Sequence, residues 1–205
     1  MDITTPGLVI ISGQQGSGKS NLLKYIVKLL RKQLKYGVMF SQTAFNEGNL
    51  DYIPEKYIHT QYNPEILHNL MKIQAGLDKE NRHLAFVIFD DCIVDSWVNC
   101  KWFNQLVTQV RHYNILIIIT TQYINKVPIM VRENAFQVAM FSADTHRCIN
   151  ALYESYGQKF ENLNEFKRYL QENTENYHFI WYDRKKGIYK KKKAPANVQL
   201  KKLKY

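Results

Sequence analysis

Apolar and polar positions come in blocks along this chain. Leu8 to Ser12 is a short apolar run, the pattern of a buried first strand. Between Asn21 and Leu34 the residues Leu22, Leu23, Ile26, Val27, Leu29 and Leu30 recur at helical spacing and predict a helix. Val38 to Ser41 predicts a second short strand. Residues 43–62, polar and rich in Asn and Tyr, predict a loop with little regular structure. Pro64 suits a first helical turn and opens a helix running to about Gln74 or beyond. Leu84 to Phe89 and Ile115 to Thr120 predict buried strands, with a helix from Trp97 to His112 between them. A strand at Phe136 to Phe141 precedes helices from about Asp144 to Tyr156 and from Leu163 to Gln171. Tyr177 to Tyr182 and Ile188 to Lys190 flank Arg184-Lys185-Lys186-Gly187, the signature of a β-hairpin. Strands alternating with helices predict an α/β fold, a mainly parallel central sheet flanked by helices.

At 205 residues the chain can bury a sizeable core as one domain. Its longest aliphatic run, Ile115 to Ile119, falls far short of the ~20 residues that span a bilayer. Asp2, Pro6 and Gly7 do not make a secretory signal, so the chain is expected to be neither exported nor membrane-spanning. Cys92, Cys100 and Cys148 form no C-x-x-C, which argues against a disulfide framework or zinc site and suits a reducing compartment. Cys92, following an apolar strand, reads as a small packing residue.

Charge adds a boundary. The net charge is +10, yet residues 1–183 hold 18 Lys/Arg against 18 Asp/Glu. The whole excess lies in residues 184–205, which contain no acid. The expected organisation is therefore a domain over 1–183 and a basic extension over 184–205. Such a block stays solvated and favours a polyanion, unless it serves only solubility. Aromatics beside Arg184, Lys185, Lys186, Lys190, Lys191, Lys192 and Lys193 suit nucleic acid, so these are the DNA-binding candidates. Phe179 and Trp181 themselves read as core.

Gly13-Gln14-Gln15-Gly16-Ser17-Gly18-Lys19-Ser20 fits G-x-x-x-x-G-K-[ST] and sits between an expected strand and helix. Glycines let the backbone wrap a phosphate, and successive N–H groups with the helix N-terminus bind it. Lys19 is expected to reach the β- and γ-phosphates of ATP and Ser20 to ligate Mg²⁺, with Asn21 next in the helix. Ala85 to Phe89 runs into Asp90-Asp91, placing the acids at the carboxyl edge of a parallel strand. Asp90 is then the second Mg²⁺ ligand, and Asp91 either the general base or a helix cap. Glu47 is the reserve base, unless it is a solvated loop carboxylate. Gln122, ending the apolar run from Ile115, can touch the γ-phosphate or the attacking water.

These features together resemble the FtsK/HerA superfamily of DNA-pumping ATPases. The resemblance is strongest to genome-packaging ATPases of double-stranded DNA viruses, the poxvirus-like and turreted icosahedral archaeal virus type. It is carried by the phosphate loop, by Phe89-Asp90-Asp91, and by the stretch from Gln109 through Arg111-His112, Thr120-Thr121-Gln122, Pro128 and Arg132 to Phe141. It covers roughly residues 7–150. It implies a P-loop NTPase fold of the RecA-like (ASCE) kind. It also implies an ATP-driven DNA translocase, built as a pentameric or hexameric ring and docked on a capsid vertex protein, in the host cytoplasm or virion. It places Arg111 as the arginine finger offered to a neighbouring subunit, and Arg132 as a second arginine at the interface, or else in a surface salt bridge. His112 keeps a packing reading. Many superfamily members carry Asp-Glu where this chain has Asp90-Asp91, which leaves the base open between Asp91 and Glu47.

Three other readings compete. A nucleotide or nucleoside kinase needs an arginine-rich lid, but the helix after Phe141 offers only Arg147. A GTPase switch needs N-K-x-D, and Asn125-Lys126-Val127-Pro128 lacks the acid. A basic nucleoprotein component with a vestigial ATP site would not need the intact set Lys19, Ser20, Asp90 and Gln122.

Overall fold

Eight strands form one sheet in the order β3-β2-β4-β5-β1-β6-β7-β8. The structure is a computed structural model and describes residues 2–45, 52–92 and 100–203. The strands are β1 (Gly7–Ser12), β2 (Leu34–Ser41), β3 (Ile58–His59), β4 (Leu84–Asp90), β5 (Ile115–Thr121), β6 (Gln137–Met140), β7 (His178–Asp183) and β8 (Ile188–Lys193). β1 to β6 pair in parallel, and β7 and β8 add an antiparallel edge. The helices are α1 (Lys19–Leu30), α2 (Pro64–Gly76), α3 (Lys101–Thr108), α4 (Val110–Tyr113), α5 (Ile129–Asn134), α6 (His146–Tyr156) and α7 (Leu163–Asn173). No helix among the described residues is long and apolar enough to cross a membrane.

Central strands buried on both faces explain the unbroken apolar runs. Leu8 and Ile10 of β1 face one core with α2 to α7, and Val9 and Ile11 face the other. That second face is covered by α1 and by the chain after β8, through Ala194, Leu200 and Leu203. The Leu203 N–H donates to the Tyr52 carbonyl at 2.9 Å. The extension is therefore not a solvated tail throughout. Its lysines reach water while its sparse apolar residues close a core that one helix cannot cover. The boundary expected at 183/184 falls in the turn between β7 and β8, inside the sheet. Phe179 and Trp181 are buried in this same core. Cys92 packs in the other core and donates its thiol to the Phe40 carbonyl, and burial pushes that thiol up to about 12.

Four expectations change. The helix expected to Leu34 stops at Leu30, and Leu34 instead opens β2 opposite Leu84. Leu34 follows Leu30 by four residues and so continues the helical spacing, but strand pairing prevails over periodicity. The loop over 43–62 carries a 3-10 turn at Glu55–Tyr57 and the short β3, in its described part. The helix over Trp97 to His112 is broken at Gln109 into α3 and α4, and Trp97 lies outside the described residues. α5 had no counterpart among the expected elements.

Arg132 is a further correction. It is 6% exposed. Its guanidinium donates to the carbonyls of Val127 and Ala151 at 3.1 and 2.9 Å and to Ser155 Oγ at 2.6 Å. It ties α5 to α6 within the chain and lies neither in a surface salt bridge nor at an exposed interface. Arg132→Ala is expected to lower stability by about 3 kcal/mol, since several buried acceptors lose a charged donor at once. Thermal melting checks this, and an unchanged melting temperature with lost assembly would restore the interface role.

Candidate nucleotide site

The loop after β1 is held from both sides. The Gly13 N–H donates to the Thr121 carbonyl at the end of β5, and the Gln14 N–H to the Ser142 carbonyl after β6. A β-carbon at Gly13 would meet Phe141 Cβ at 2.4 Å, so only glycine fits this approach. Gly18 caps α1 in the left-handed region, φ 103°, and offers no side chain to the first helical N–H groups. Those donors are left facing the loop, where an anion would lie. The buried Ser17 hydroxyl has no hydrogen-bond partner. Ser20 and Asn21 are exposed on the first turn of α1.

Lys19 is buried, and its ammonium donates to the Gln14 carbonyl at 3.1 Å across the loop. Burial pulls its pKa down, against the charges of Asp91 and Asp90, which raise it. Asp90 ends β4 beside Thr120 of β5. Its carboxylate accepts from Thr120 Oγ1 at 2.6 Å and from Ser41 Oγ at 3.4 Å. Burial nevertheless raises its pKa, aided by Asp91 and opposed by Thr120, Ser41 and Lys19. Asp91 is exposed, with φ 45°. Its N–H donates to Thr120 Oγ1 at 3.0 Å, and its carboxylate accepts from Gln122 Nε2 at 3.4 Å. The structure thus brings Lys19, Asp90, Asp91 and Gln122 to one sheet edge. Residues 93–99, where a helix capped by Asp91 would run, and Glu47 lie outside the described residues.

The donor set suits Mg²⁺. Among the described residues no three His, Cys, Asp or Glu side chains gather as a metal cage. Magnesium takes few protein ligands, commonly one or two carboxylates with phosphates and water. A half-buried carboxylate already oriented by two hydroxyls fits that demand, with Ser20 on the adjacent helix turn.

Arg111 is placed elsewhere. It lies exposed on α4, before β5, with its guanidinium 4.7 Å from the Phe136 ring centroid. β5 separates it from Gln122, a span of about 23 Å for seven strand residues. His112 is also exposed, and its carbonyl accepts from Arg82.

The basic candidates divide. Lys185, Lys186, Lys190, Lys191 and Lys193 are exposed and Lys192 half-buried. Lys186 pairs with Asp2 at 3.2 Å. Lysines along an edge strand also discourage pairing with other chains. Arg184 departs from the row: it donates to the carbonyls of Arg132 and Ser155 and stacks by Tyr156, so its charge is turned inward. Sequence reading missed a second basic surface, a cleft between Lys24 and Lys28 of α1, Arg31 just after it, and Lys201. Its signal was present, as basic positions at helical spacing on the polar face of α1.

A mostly parallel sheet, a glycine-rich loop from β1 into α1, and strand-end carboxylates two strands away define a P-loop NTPase fold. The chain belongs to the poxvirus A32 protein family, whose model matches residues 4–152. It is 28% identical over 182 residues to uncharacterized protein 075L of Invertebrate iridescent virus 6, covering 85% of this chain and 69% of that one. It is 24% identical over 155 residues to DNA packaging protein OPG160 of Vaccinia virus, covering 72% of this chain and 57% of that one. It superposes on the genome packaging NTPase B204 of Sulfolobus turreted icosahedral virus 2, solved with AMPPCP, with a TM-score of 0.70. That likeness covers 93% of this chain and 98% of the other at 16% identity, and is a likeness of fold. The chain spans about half the length of the poxvirus relative it matches.

Proposed function

We propose that this chain is the motor of viral genome packaging, binding ATP with Mg²⁺ and hydrolysing it between subunits of a homo-oligomeric ring to move double-stranded DNA. One observation carries the reading. Lys19, Asp90, Asp91 and Gln122 meet at one end of the sheet, and Arg111 is exposed at the other. An arginine there can complete only the site of a neighbouring copy. The family and the B204 fold support the same reading.

In this site Lys19 and the loop N–H groups hold the β- and γ-phosphates. Ser20 and Asp90 would hold Mg²⁺, which supplies charge neutralisation on the phosphates. Asp91 takes the proton of the attacking water, Gln122 orients that water beside it, and the bond from the γ-phosphorus to the bridging oxygen breaks. DNA contact falls to the exposed lysines of β8 and its turn, through phosphates rather than base edges. The chain would work in the host cytoplasm or at a virion vertex, seated on a capsid protein.

Steady-state hydrolysis with and without duplex DNA tests this. DNA is expected to raise turnover. Its apparent affinity is expected to fall about a hundredfold between about 50 and 200 mM salt, as for roughly four phosphate contacts. Turnover indifferent to DNA at both salt concentrations would refute the motor.

A further inference from the structure

The solvent side of α1 carries charge that the proposed chemistry does not use. Lys24, Lys28 and Arg31, the last just past the helix end, recur at four- and three-residue spacing and so share one side. Facing them, the chain after β8 alternates in burial. Val198 and Leu200 are buried, while Asn197, Gln199 and Lys201 are exposed. The apolar residues hold this segment against the core and turn its polar ones outward. Between helix and segment lies a cleft of about 590 Å³, lined by four cations and no acid. Lys24 lies over the Tyr52 ring, 5.5 Å from its centroid. Among the described residues Lys28, Arg31 and Lys201 are in no ion pair with a carboxylate. Cations gathered without a counter-charge make a field that draws an anion.

Length and shape give the class of anion. Seven residues separate Lys24 from Arg31, about 10 Å along the helix axis. A duplex presents about six phosphate charges over that length, whereas a single phosphate meets only part of the row. The cleft is concave and admits a ridge, while a flat headgroup layer would touch only its rims. Asn197 and Gln199 add amide donors of the kind that contact phosphate oxygens. The basic surface also continues toward β8, because Tyr25 of α1 and Lys191 to Lys193 border a neighbouring cleft of about 430 Å³. We propose that the cleft between α1 and residues 197–201 seats one phosphate backbone of duplex DNA. The seat rests on the reading of this chain as a DNA motor, and shares its phosphate contacts between β8 and α1. Lys19 and Ser20 open the same helix that Lys28 and Arg31 close, so nucleotide and DNA would bear on one rigid element.

Duplex binding by the full chain, measured by fluorescence anisotropy across salt with two unrelated sequences, tests the seat. Lys28→Gln/Arg31→Gln is expected to weaken both duplexes by about 30-fold at about 0.15 M salt. It is expected to lower the slope of log affinity against log salt by about two. Lys28→Arg/Arg31→Lys, which keeps the charge, is expected to bind as the parent chain does. An unchanged slope in the Gln pair would overturn the seat. So would a lowered melting temperature with that slope intact, which would make these cations partners of the helix C-terminus alone. Lys185→Gln/Lys190→Gln separates the two readings. If only this pair lowers the slope, the seat falls and the motor stands; if the parent chain binds no duplex, both fall. Loss of binding to phosphatidylserine–phosphatidylcholine vesicles by the Lys28/Arg31 Gln pair, with duplex binding kept, would assign the cleft to a membrane and overturn the seat. Lysine acetylation of the unmodified chain, read by mass spectrometry with and without duplex, is free of folding effects. Protection of Lys28 and Lys201 supports the seat, and protection confined to β8 overturns it.

Discussion

Arg111→Ala is expected to lower ATP turnover by about 10³-fold or more while leaving nucleotide affinity unchanged. A finger meets charge that develops on the γ-phosphate in the transition state, so its loss is felt in turnover rather than in binding. The fold should tolerate the change. Arg111 is exposed, and its visible partner is the Phe136 ring, an exposed cation–π contact worth about 0.5–1 kcal/mol. Turnover and a calorimetric nucleotide titration on the same preparation check it. If affinity falls with turnover, Arg111 is structural. Mixing adds a sharper test. Arg111→Ala subunits keep their phosphate loops, and Lys19→Ala subunits keep their fingers. A mixture should regain turnover only if sites are shared between copies, and two inactive variants that stay inactive together would remove the ring from the mechanism.

Lys19→Ala is expected to abolish hydrolysis, with a loss of about 10³-fold or more. Lys19 is 6% exposed and braces the loop through the Gln14 carbonyl. It is also the charge that opposes Asp90 and Asp91. Without it two carboxylates face an incoming triphosphate unbalanced. The assay is turnover at saturating Mg²⁺-ATP, and undiminished turnover would sink the site assignment.

Much of this was legible in the sequence because it was local. A run such as Leu84 to Phe89 is apolar since both faces of β4 are buried, and its terminal acids fall at the sheet edge by construction. The glycines of the loop mark backbone that wraps closely around its surroundings. What stayed hidden depends on distant partners. Leu34 could extend α1 or begin β2, and only Leu84 decides. Arg132 reads as a surface cation until Val127, Ala151 and Ser155 are seen around it. The cleft beside the phosphate loop joins Gln14 to Ser17 with Gln171 and Thr174 to Tyr177, more than 150 residues away, and no motif spans such a gap.

The chain beyond β8 changes how its charge can be studied. Lys201 and Lys202 reach water from the same few residues whose Leu200 and Leu203 close the core over α1. Cutting the extension away would strip cations and uncover apolar surface in one stroke, and a truncated chain that failed to hold DNA would say little about lysines. Lys→Gln exchange, which spares the leucines, separates the two effects. The family model and the sheet it belongs to also end at different places. The A32 family match stops at residue 152, within α6, while β7, β8 and the segment that seals α1 all lie past it. The packed unit is therefore longer than the stretch the family model describes.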